Sequence, residues 1–420
     1  MASDSERPLR HVMLVAGEAS GDQLGARLMT ALAGLADDLG HPVPRFTGVG
    51  GPLMEAQGLQ SLFPMRELSV MGILEILPRV PQLRRRLIQT VEAARSAQPD
   101  IVVTIDAPAF NLRIGQRLKD APFPVVQYVA PQVWAWRQGR ARIVAERFDH
   151  LLALLPFEPG FFEPWGLPTT FVGHSVVEGG AGKGDGAGFR ARHGIAADAT
   201  LLVVLPGSRR SELGRLLQPF GETVARLSRS MPGLRVAIPA VAHLAQDLER
   251  EVAGWPAAPI VVQGEQGKWD AFAAGDVALA ASGSVALELA MAQIPMVIAY
   301  RVNPASAAIA RRLIKIPYAC LVNIIAERPA VPELLQENCR PERLAEAVSR
   351  LLRDPEARAV QHEAAQKVRE LLGGSAPVPP SRRAAEALRA VFLGGRLPEQ
   401  GRMTPIRPAQ GGTAWSWARR

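Results

Sequence analysis

The fold class follows from one stretch near the start of the chain, His11-Val-Met-Leu-Val-Ala-Gly17-Glu18-Ala-Ser20-Gly21-Asp22. An apolar run ends there in small and polar residues, and leucines then recur at positions 24, 28, 32 and 35. That spacing places them on one face of a helix. A strand, a glycine-containing loop and a helix in this order are typical of a doubly wound α/β domain.

A second stretch repeats the pattern in the other half of the chain, Leu201-Leu-Val-Val-Leu-Pro206-Gly207-Ser208-Arg209. Apolar runs alternate with helical patterns around both stretches, which predicts parallel sheets covered by helices on both faces. We therefore expect two nucleotide-fold halves that face a shared cleft. The predicted strands are His11–Ala16, Arg45–Val49, Ile101–Ile105, Pro124–Val129, Leu151–Leu155, Thr169–Val172, Leu201–Leu205, Leu234–Ile238, Pro259–Val262, Val277–Ala280, Met296–Tyr300 and Ala319–Val322.

Composition places the domain boundaries. The glycine-rich stretch at 178–190 has the composition of a flexible linker, and a Gly- and Pro-rich break begins at 373. The tail is rich in Gly, Pro and Arg, which predicts disorder. We expect an N-terminal domain at 1–177, a linker at 178–190, a C-terminal domain at 191–372, a crossing segment at 373–393 with a helix at 381–393, and a disordered basic tail at 394–420.

The bulk properties exclude several classes of protein. The chain has 420 residues, 48% of them hydrophobic, which suits two globular domains. Its start has no secretory h-region, and no apolar stretch is long enough to span a bilayer. The two cysteines, Cys320 and Cys339, fit a reducing cytoplasm. The net charge of +8 favours anionic partners, but no nucleic-acid-binding module is recognisable, so we expect no nucleic-acid partner.

Motifs for metals and common cofactors are missing from the sequence. It contains no Asp-X-Asp, no H-E-x-x-H and no clustered Cys/His set, so we expect no metal site. It also lacks the G-x-x-x-x-G-K-[ST] loop of P-loop nucleoside triphosphatases. We expect no cofactor.

The loop from Gly17 to Asp22 has two interpretations. Glycines at a strand-to-helix turn let a ligand approach the backbone, and amides at a helix N-terminus favour anions. The G-x-G-x-x-G spacing of dinucleotide-binding proteins is missing, however. A tight turn with Ser20 or Asp22 as the helix cap explains the loop equally well.

Asp106 is the strongest candidate for a catalytic group. It follows the buried run Ile101–Ile105 and therefore lies where the carboxyl end of a strand meets the expected cleft. A carboxylate there can take a proton from an attacking hydroxyl. The alternative is that Asp106 only caps the following segment.

Two further groups in the first half are candidates. Trp134 and Trp136 precede Arg137 and suggest a shaped loop, although a large ring of this kind also serves as a core anchor. His174 follows the last predicted strand of the first half. It can bind substrate or move a proton there, or it can be structural.

In the second half, two strand ends look suited to an anion. Gly207, Ser208 and Arg209 offer amides, a hydroxyl and a guanidinium, and a guanidinium matches the oxygens of phosphate. A second helix opens with Ser282, Gly283 and Ser284, and Glu288 lies about one turn further on. Glu288 can accept hydrogen bonds from a ribose, or it is a carboxylate favoured by the helix dipole.

The stretch Val70–Ile88 is both apolar and basic. Such a segment can lie on an anionic bilayer, line a groove for acyl chains, or be a core helix with an exposed arginine face. Its candidate membrane and acyl-chain residues are Val70, Met71, Ile73, Leu74, Ile76, Leu77, Arg84, Arg85 and Arg86.

Taken together, these motifs resemble those of the lipid-A-disaccharide synthase family, in family order from about residue 11 to about residue 340. Val133–Arg137 and Ile105–Pro108 are the most specific of them. The matching stretches are Gly17–Asp22, Gly48–Pro52, Val70–Glu75, Ile105–Asn111, Val133–Arg137, Leu155–Glu158, Gly173–Ser175, Leu205–Arg209, Ala281–Ser284 and Leu334–Gln336. Two departures lie at Ala130-Pro-Gln and Arg210-Ser-Glu, where other members have smaller or different residues.

The resemblance implies a GT-B architecture, with two Rossmann-like α/β domains and the active site between them. It implies transfer of the sugar from UDP-2,3-diacylglucosamine to 2,3-diacylglucosamine 1-phosphate (lipid X). The products are a β-1,6-linked lipid A disaccharide 1-phosphate and UDP. The resemblance also leaves open a homodimer with exchanged C-terminal segments. We expect a cytoplasmic enzyme held peripherally against the anionic inner face of the inner membrane.

The resemblance assigns roles to particular positions. It implies a catalytic role for Asp106, which we expect to act as base from the N-terminal domain, and it adds Asn323 to the UDP side. The expected UDP and phosphate contacts are Gly207, Ser208, Arg209, Ser282, Gly283, Ser284, Glu288 and Asn323. The expected acceptor-side residues are Glu18, Ser20, Asp22, Trp134, Trp136, Arg137 and His174.

Two alternatives use the same architecture. A UDP-N-acetylglucosamine 2-epimerase has no acceptor and does not need the apolar, basic segment. A lipid- or nucleotide-sugar-binding protein without turnover does not need Asp106.

Overall fold

The computed structural model describes residues 7–68, 77–136, 139–303, 307 and 316–395. The strands are β1 His11–Ala16, β2 Arg45–Val49, β3 Gln60–Ser61, β4 Ile101–Ile105, β5 Val125–Tyr128, β6 His150–Ala153, β7 Thr169–Phe171, β8 Leu201–Leu205, β9 Arg235–Ala240, β10 Ile260–Gln263, β11 Val277–Ala281, β12 Met296–Tyr300 and β13 Glu333–Leu335. The α-helices are α1 Ala19–Asp38, α2 Pro52–Ala56, α3 Val80–Ala97, α4 Pro108–Leu118, α5 Val133–Trp136, α6 Arg140–Ala145, α7 Pro159–Phe162, α8 Gly186–Arg192, α9 Arg210–Ser230, α10 Ala242–Val252, α11 Gly264–Ala274, α12 Val285–Met291, α13 Leu321–Ala326, α14 Pro341–Arg353, α15 Pro355–Leu371 and α16 Pro380–Phe392.

The described chain divides into two compact units. One comprises residues 7–175 and 376–395, and the other comprises residues 176–375. Each has its own parallel sheet and its own buried apolar clusters. The prediction of two Rossmann-like α/β domains is therefore confirmed.

The sheet of the first unit has the strand order β3-β2-β1-β4-β5-β6-β7. The strand β1 lies in its interior, between β2 and β4, and is buried along its whole length, because helices cover both faces of a doubly wound sheet. The chain order reverses between β1 and β4, and there Ala16 pairs with Ile105. The residues that follow these two strands, Gly17 and Asp106, therefore lie side by side at a topological switch point.

The sheet of the second unit has the order β10-β9-β8-β11-β12-β13. Leu205 of β8 lies opposite Ala280 of β11, and Ala281 pairs with Ala299 of β12. The segments that begin at Pro206 and Ser282 therefore leave neighbouring strands at the same edge.

The C-terminal helix α16 belongs to the first unit, where it packs on α1. Arg382 forms an ion pair of 2.6 Å with Asp38, and Arg383 donates a hydrogen bond of 3.1 Å to the Phe171 carbonyl. The predicted helix at 381–393 thus exists and returns to the first unit. Exchange of this segment between two copies stays a prediction, which light scattering of the purified protein tests.

The prediction of a flexible linker at 178–190 is wrong. A Cβ added at Gly180 would lie 2.6 Å from Trp269 Nε1, and one added at Gly184 would lie 2.0 Å from the Trp269 carbonyl oxygen. Asp185 caps α8 by accepting a hydrogen bond of 2.8 Å from the Gly188 amide. These glycines therefore permit close packing against α11, and composition alone cannot separate that role from flexibility.

The predicted strand Ala319–Val322 is also wrong, because the helix α13 begins at Leu321. The backbone amides of Ala319 and Cys320 donate to the Glu333 carboxylate at 2.8 and 3.0 Å, which holds the start of this helix. The strand of this region is β13, which pairs with β12 and was not predicted. A short apolar run does not distinguish a buried strand from a buried helix.

Within the described ranges, no helix is both long and apolar enough to cross a membrane. The basic tail, except for Gly394 and Gly395, lies outside the described residues.

Candidate active site

Asp106 lies at the carboxyl edge of the first sheet and contacts the loop after β1. The Ser20 hydroxyl donates a hydrogen bond of 3.0 Å to Asp106 Oδ2. A Cβ added at Gly17 would lie 2.7 Å from Ala107 Cβ, so only a glycine lets the two loops approach so closely. Ser20 is exposed and Asp106 is partly exposed, which leaves the carboxylate open to a ligand.

The backbone around Asp106 is strained. Asp106 and Ala107 have φ values of +51° and +40°, and Val129, just after the neighbouring strand β5, has +78°. A β-branched residue rarely adopts this left-handed region. Such strain persists only where the surroundings enforce it, and it concentrates at functional sites.

Two buried amides enforce this conformation. Asn111 Nδ2 donates to the Asp106 carbonyl at 2.6 Å, and Gln127 Nε2 donates to the carbonyls of Asp106 and Val129 at 3.2 and 3.1 Å. Gln127 Oε1 accepts a hydrogen bond of 2.6 Å from the Thr104 hydroxyl, which fixes the orientation of its amide. The position of Asp106 is therefore determined by side chains of both neighbouring elements.

Asp22 has a structural role, and its place on the acceptor side stays a prediction. Its carboxylate is buried and accepts hydrogen bonds from the backbone amides of Gly51, Leu53 and Met54 at 3.0, 3.1 and 3.0 Å. These amides belong to the start of α2, which Asp22 caps from α1. Three donors occupy the carboxylate and leave little capacity for a substrate.

Trp134 is a core anchor, as the alternative interpretation of the double-tryptophan loop had it, and its place on the acceptor side stays a prediction. Its side chain is 2% exposed, its ring meets Phe157 edge-on at 5.2 Å, and Nε1 donates to Glu158 Oε1 at 3.2 Å. Glu158 also accepts from the Leu154 and Leu155 amides at 3.1 and 3.0 Å. Burial raises the pKa of Glu158 to about 7. The side chain of Trp136 and all of Arg137 lie outside the described residues.

The other predicted acceptor-side residues keep their places near the sheet edge. Glu18 is the N-cap residue of α1, and His174 follows β7. Burial lowers the pKa of His174 to about 4, so its imidazole is neutral at neutral pH. A neutral imidazole there does not carry a fixed positive charge.

In the second unit, the loop after β8 is built around Glu212. The Ser208 amide donates to Glu212 Oε2 at 2.9 Å, and Arg209 Nη1 lies 3.1 Å from Glu212 Oε1. A carboxylate of the same chain thus accepts from the Ser208 amide, and the contact of this loop with a diphosphate stays a prediction. Arg209 is half exposed and begins α9 as its N-cap residue.

The neighbouring loop after β11 carries the other predicted anion contacts. Ser282 donates from its hydroxyl to the Ala319 carbonyl at 3.2 Å, whereas Gly283 and Ser284 are exposed. Glu288 is paired with Lys268, whose Nζ lies 3.1 Å from Oε2. Burial raises the pKa of Glu288, and the Lys268 charge opposes that shift.

Asn323 is buried and hydrogen-bonded within its own unit, and its contact with UDP stays a prediction. Its Oδ1 accepts from the Val331 amide at 2.8 Å, and its Nδ2 donates to the Val331 carbonyl and to Glu333 Oε1, each at 2.8 Å. Asn323 is 1% exposed. Both donors and the carbonyl oxygen are used, which makes it a buried brace between α13 and β13.

The arginines of the apolar, basic segment Val70–Ile88 differ in their exposure to solvent. Arg84 and Arg85 are exposed on α3, together with Val80 and Ile88. Arg86 is less exposed and donates two hydrogen bonds of 2.7 and 2.8 Å to Glu67, and its contact with a membrane stays a prediction. The predicted residues Val70, Met71, Ile73, Leu74 and Ile76, and the side chain of Leu77, lie outside the described residues.

Sequence reasoning missed three groups that shape these sites. Gln127, Glu158 and Glu212 hold the loops that carry Asp106, Trp134 and Arg209. Glu158 and Glu212 lie in stretches quoted for the resemblance and Gln127 lies in a predicted strand, but the roles of all three depend on hydrogen bonds that spacing does not reveal. Among the described residues, no group of three or more His, Cys, Asp or Glu side chains is arranged to hold a metal ion.

Comparisons with known proteins fit this arrangement. The chain is 54% identical to the lipid-A-disaccharide synthase of Rhodospirillum centenum over 398 residues, which cover 94% of this chain and 98% of the relative. Among solved structures, it is similar to a putative UDP-N-acetylglucosamine 2-epimerase from Listeria monocytogenes, with a TM-score of 0.60, 12% identity, and coverage of 91% and 95% of the two chains. It is also similar to CalG4, the calicheamicin glycosyltransferase, with a TM-score of 0.55, 17% identity, and coverage of 92% and 99%.

The structural similarities show the fold alone, because glycosyltransferases and epimerases share it. The family is decided by the sequence, since the family model described as lipid-A-disaccharide synthetase matches residues 12–385. Together with the identity to the Rhodospirillum centenum synthase, this match shows that the chain belongs to the lipid-A-disaccharide synthase family.

Proposed function

We propose that Asp106 is the general base of a glycosyl transfer in which the acceptor is lipid X and the donor is UDP-2,3-diacylglucosamine. As a member of its family, the protein is a glycosyltransferase that forms lipid A disaccharide. The alternatives of an epimerase or a binding protein without turnover have no comparable support. Which residue carries out which step of the reaction is our proposal.

The position of Asp106 carries this proposal. Its carboxylate is partly exposed, while its backbone is fixed by Asn111 and Gln127. A group held in this way reaches the acceptor 6-hydroxyl without losing further conformational freedom. Asp106 would remove the hydroxyl proton as the oxygen attacks the anomeric carbon from the face opposite UDP, which gives an inverted, β-linked product.

The second unit would stabilise the departing UDP. Arg209 presents a half-exposed guanidinium, and guanidinium groups pair with phosphate oxygens through charged hydrogen bonds. The exposed residues Gly283 and Ser284 open a neighbouring helix at the same sheet edge, and Glu288 would accept from the ribose. In this proposal, fixed positive groups stabilise the leaving diphosphate, and neither a metal nor a cofactor is required.

The exposed face of α3 would hold the enzyme against the anionic surface of the inner membrane. Apolar and cationic side chains, with one carboxylate, lie side by side in a shallow surface cavity there, which is lined by Val80, Pro81, Arg84, Arg85, Ile88, Gln89 and Glu92. Arginines near an anionic bilayer contribute about 1 kcal/mol each, and apolar neighbours add burial in the headgroup region. This surface would also bring the enzyme to its acylated substrates.

The decisive experiment is incubation of the purified protein with both acylated sugars. We expect a disaccharide 1-phosphate and UDP in equal amounts, detected by mass spectrometry and by a UDP assay. Formation of a 2-epimer from UDP-N-acetylglucosamine, or binding of the sugars without product, would overturn the proposal.

A further inference from the structure

Glu212 is the buried acidic group closest to the proposed diphosphate contacts, and the proposed mechanism does not use it. It lies in the first turn of α9 and is 8% exposed. One carboxylate oxygen accepts from the Ser208 amide at 2.9 Å, and the other lies 3.1 Å from Arg209 Nη1. The same carboxylate therefore fixes both the loop backbone and the side chain that begins the helix.

The loop is shaped to admit this carboxylate. Gly207 has a φ of +125°, a region that residues with a Cβ rarely adopt. A Cβ added there would lie 2.5 Å from both Glu212 Cβ and Glu212 Oε2. The glycine of the Pro-Gly-Ser-Arg motif is thus explained by the approach of Glu212, independently of any phosphate.

The side chains of Arg209 and Glu212 differ in their exposure to solvent. The Arg209 side chain is 52% exposed, whereas that of Glu212 is 10% exposed. The carboxylate therefore lies behind the guanidinium, on the protein side. A guanidinium has five N–H donors in one plane, so a hydrogen bond through Nη1 restricts its orientation and leaves donors that can face an anion.

Tyr300, at the end of β12, completes the surroundings of this pair. Burial raises the pKa of the Tyr300 phenol, and the nearby Glu212 carboxylate raises it further, while Arg209 and Arg215 act in the opposite direction. The Glu212 carboxylate therefore lies close to the Tyr300 phenol as well as to the Arg209 guanidinium.

We propose that Glu212 is a positioning residue of the diphosphate site, which holds the Arg209 guanidinium in the orientation that binds the diphosphate of a uridine nucleotide. This inference rests on the proposed role of Arg209. A long arginine loses rotamer entropy when it binds an anion, and a carboxylate that holds it in advance lowers that cost. Glu212 itself would not touch the ligand.

The test is a cycle of the variants E212Q, R209A and E212Q/R209A, with UDP and uridine affinities measured by competition NMR or calorimetry. Glutamine keeps an oxygen acceptor for the Ser208 amide and removes the charge that holds Arg209. We expect E212Q to weaken UDP binding about tenfold, to leave uridine binding unchanged, and to have little effect in the R209A background. The variant E212D, which keeps the charge, should restore part of the affinity.

The matched control is E222Q. Glu222 is an exposed residue of the same helix and accepts a hydrogen bond from Gln218. The inference would be overturned if E212Q left the UDP affinity unchanged or weakened UDP and uridine binding equally. It would also be overturned if E212Q weakened UDP binding as much in the R209A background as in the wild type. If R209A itself leaves UDP affinity unaltered, the proposed diphosphate site fails. Melting temperatures of all variants identify any loss that comes from unfolding.

Discussion

The Ser20 hydroxyl and the Asp106 carboxylate, 86 residues apart in the chain, are joined by a hydrogen bond of 3.0 Å. The contact follows from the pairing of Ala16 with Ile105, which makes the loops after β1 and β4 neighbours. Ser20 donates to Oδ2, so the second oxygen of the carboxylate can face a substrate hydroxyl. The loop after β1 thus orients the proposed base, although it lacks the spacing of a dinucleotide-binding loop.

The substitution D106N should lower turnover by ~10² or more while UDP binding survives, because asparagine accepts the Ser20 hydrogen bond but cannot take a proton at neutral pH. Steady-state rates and UDP affinity measure the two effects. Asp120, exposed after α4, supplies the control D120N, which should have wild-type rates. Wild-type turnover in D106N would remove Asp106 from the role of base.

Arg209 and Arg210 are adjacent arginines with different expected effects. R209A should weaken UDP binding about 10- to 100-fold, since a charged hydrogen bond contributes about 1.5–3 kcal/mol. Arg210 is 77% exposed and pairs with Asp247 at 2.7 Å, so R210A should change UDP affinity much less. Titration calorimetry measures the UDP affinity of both variants. Equal losses of UDP affinity in R209A and R210A would indicate that the overall positive charge attracts UDP, and not a specific contact with Arg209.

Much of the fold could be predicted from sequence because buried parallel strands are continuous apolar runs. Met296–Tyr300 and His11–Ala16 were predicted with their observed bounds. The failures occurred where one composition supports two structures. The lack of side chains at Gly180 and Gly184 lets Trp269 pack closely against them. The run Ala319–Val322 is apolar because it leads into a buried helix.

The site could be predicted only in part, for a related reason. A motif identifies which loops lie at a sheet edge, but it does not show which polar atoms are already used. Asp22 lies in a motif and the resemblance names Asn323, yet the side chains of both form hydrogen bonds with the backbone of their own unit. Asp106 and Arg209 remain candidates because their side chains are partly exposed beside supporting groups 3 to 21 residues away in the chain.

Trp134 should stabilise the fold through its buried bond to Glu158. W134F keeps a ring against Phe157 but leaves Glu158 Oε1 without its donor, so we expect a loss of about 1–3 kcal/mol in the free energy of unfolding. Urea unfolding measures it. Trp165 is 49% exposed, and W165F should change stability by about 0.5 kcal/mol or less. Similar losses in both variants would contradict the assigned role of the bond.

The membrane surface can be tested by charge reversal on α3. The double variant R84E/R85E should bind vesicles with anionic lipid at least about tenfold more weakly, because two attractive charges become repulsive. Binding is measured by co-sedimentation with anionic and with neutral vesicles. The matched control is R142E on α6, where the arginine is 68% exposed and pairs with Glu146. An equal loss of vesicle binding in R84E/R85E and in R142E would indicate non-specific electrostatic attraction and would contradict a defined membrane-binding surface on α3.

His150 should make the stability of the first unit depend on pH. Its Nε2 lies 2.9 Å from the Thr170 hydroxyl, and burial lowers its pKa from 6.5 to about 4. Between these values the unfolded chain binds a proton that the folded protein does not, so stability falls as the pH drops from 6.5 to 4.

H150Q removes this titration, so the stability advantage of the wild type over H150Q should shrink by up to about 3 kcal/mol between pH 7 and pH 4. Urea unfolding at a series of pH values measures it. The exposed His243 on α10 supplies the control H243Q, which should follow the wild type throughout. A constant difference between wild type and H150Q across this range would mean that the His150 imidazole remains as accessible to protons in the folded protein as in the unfolded chain.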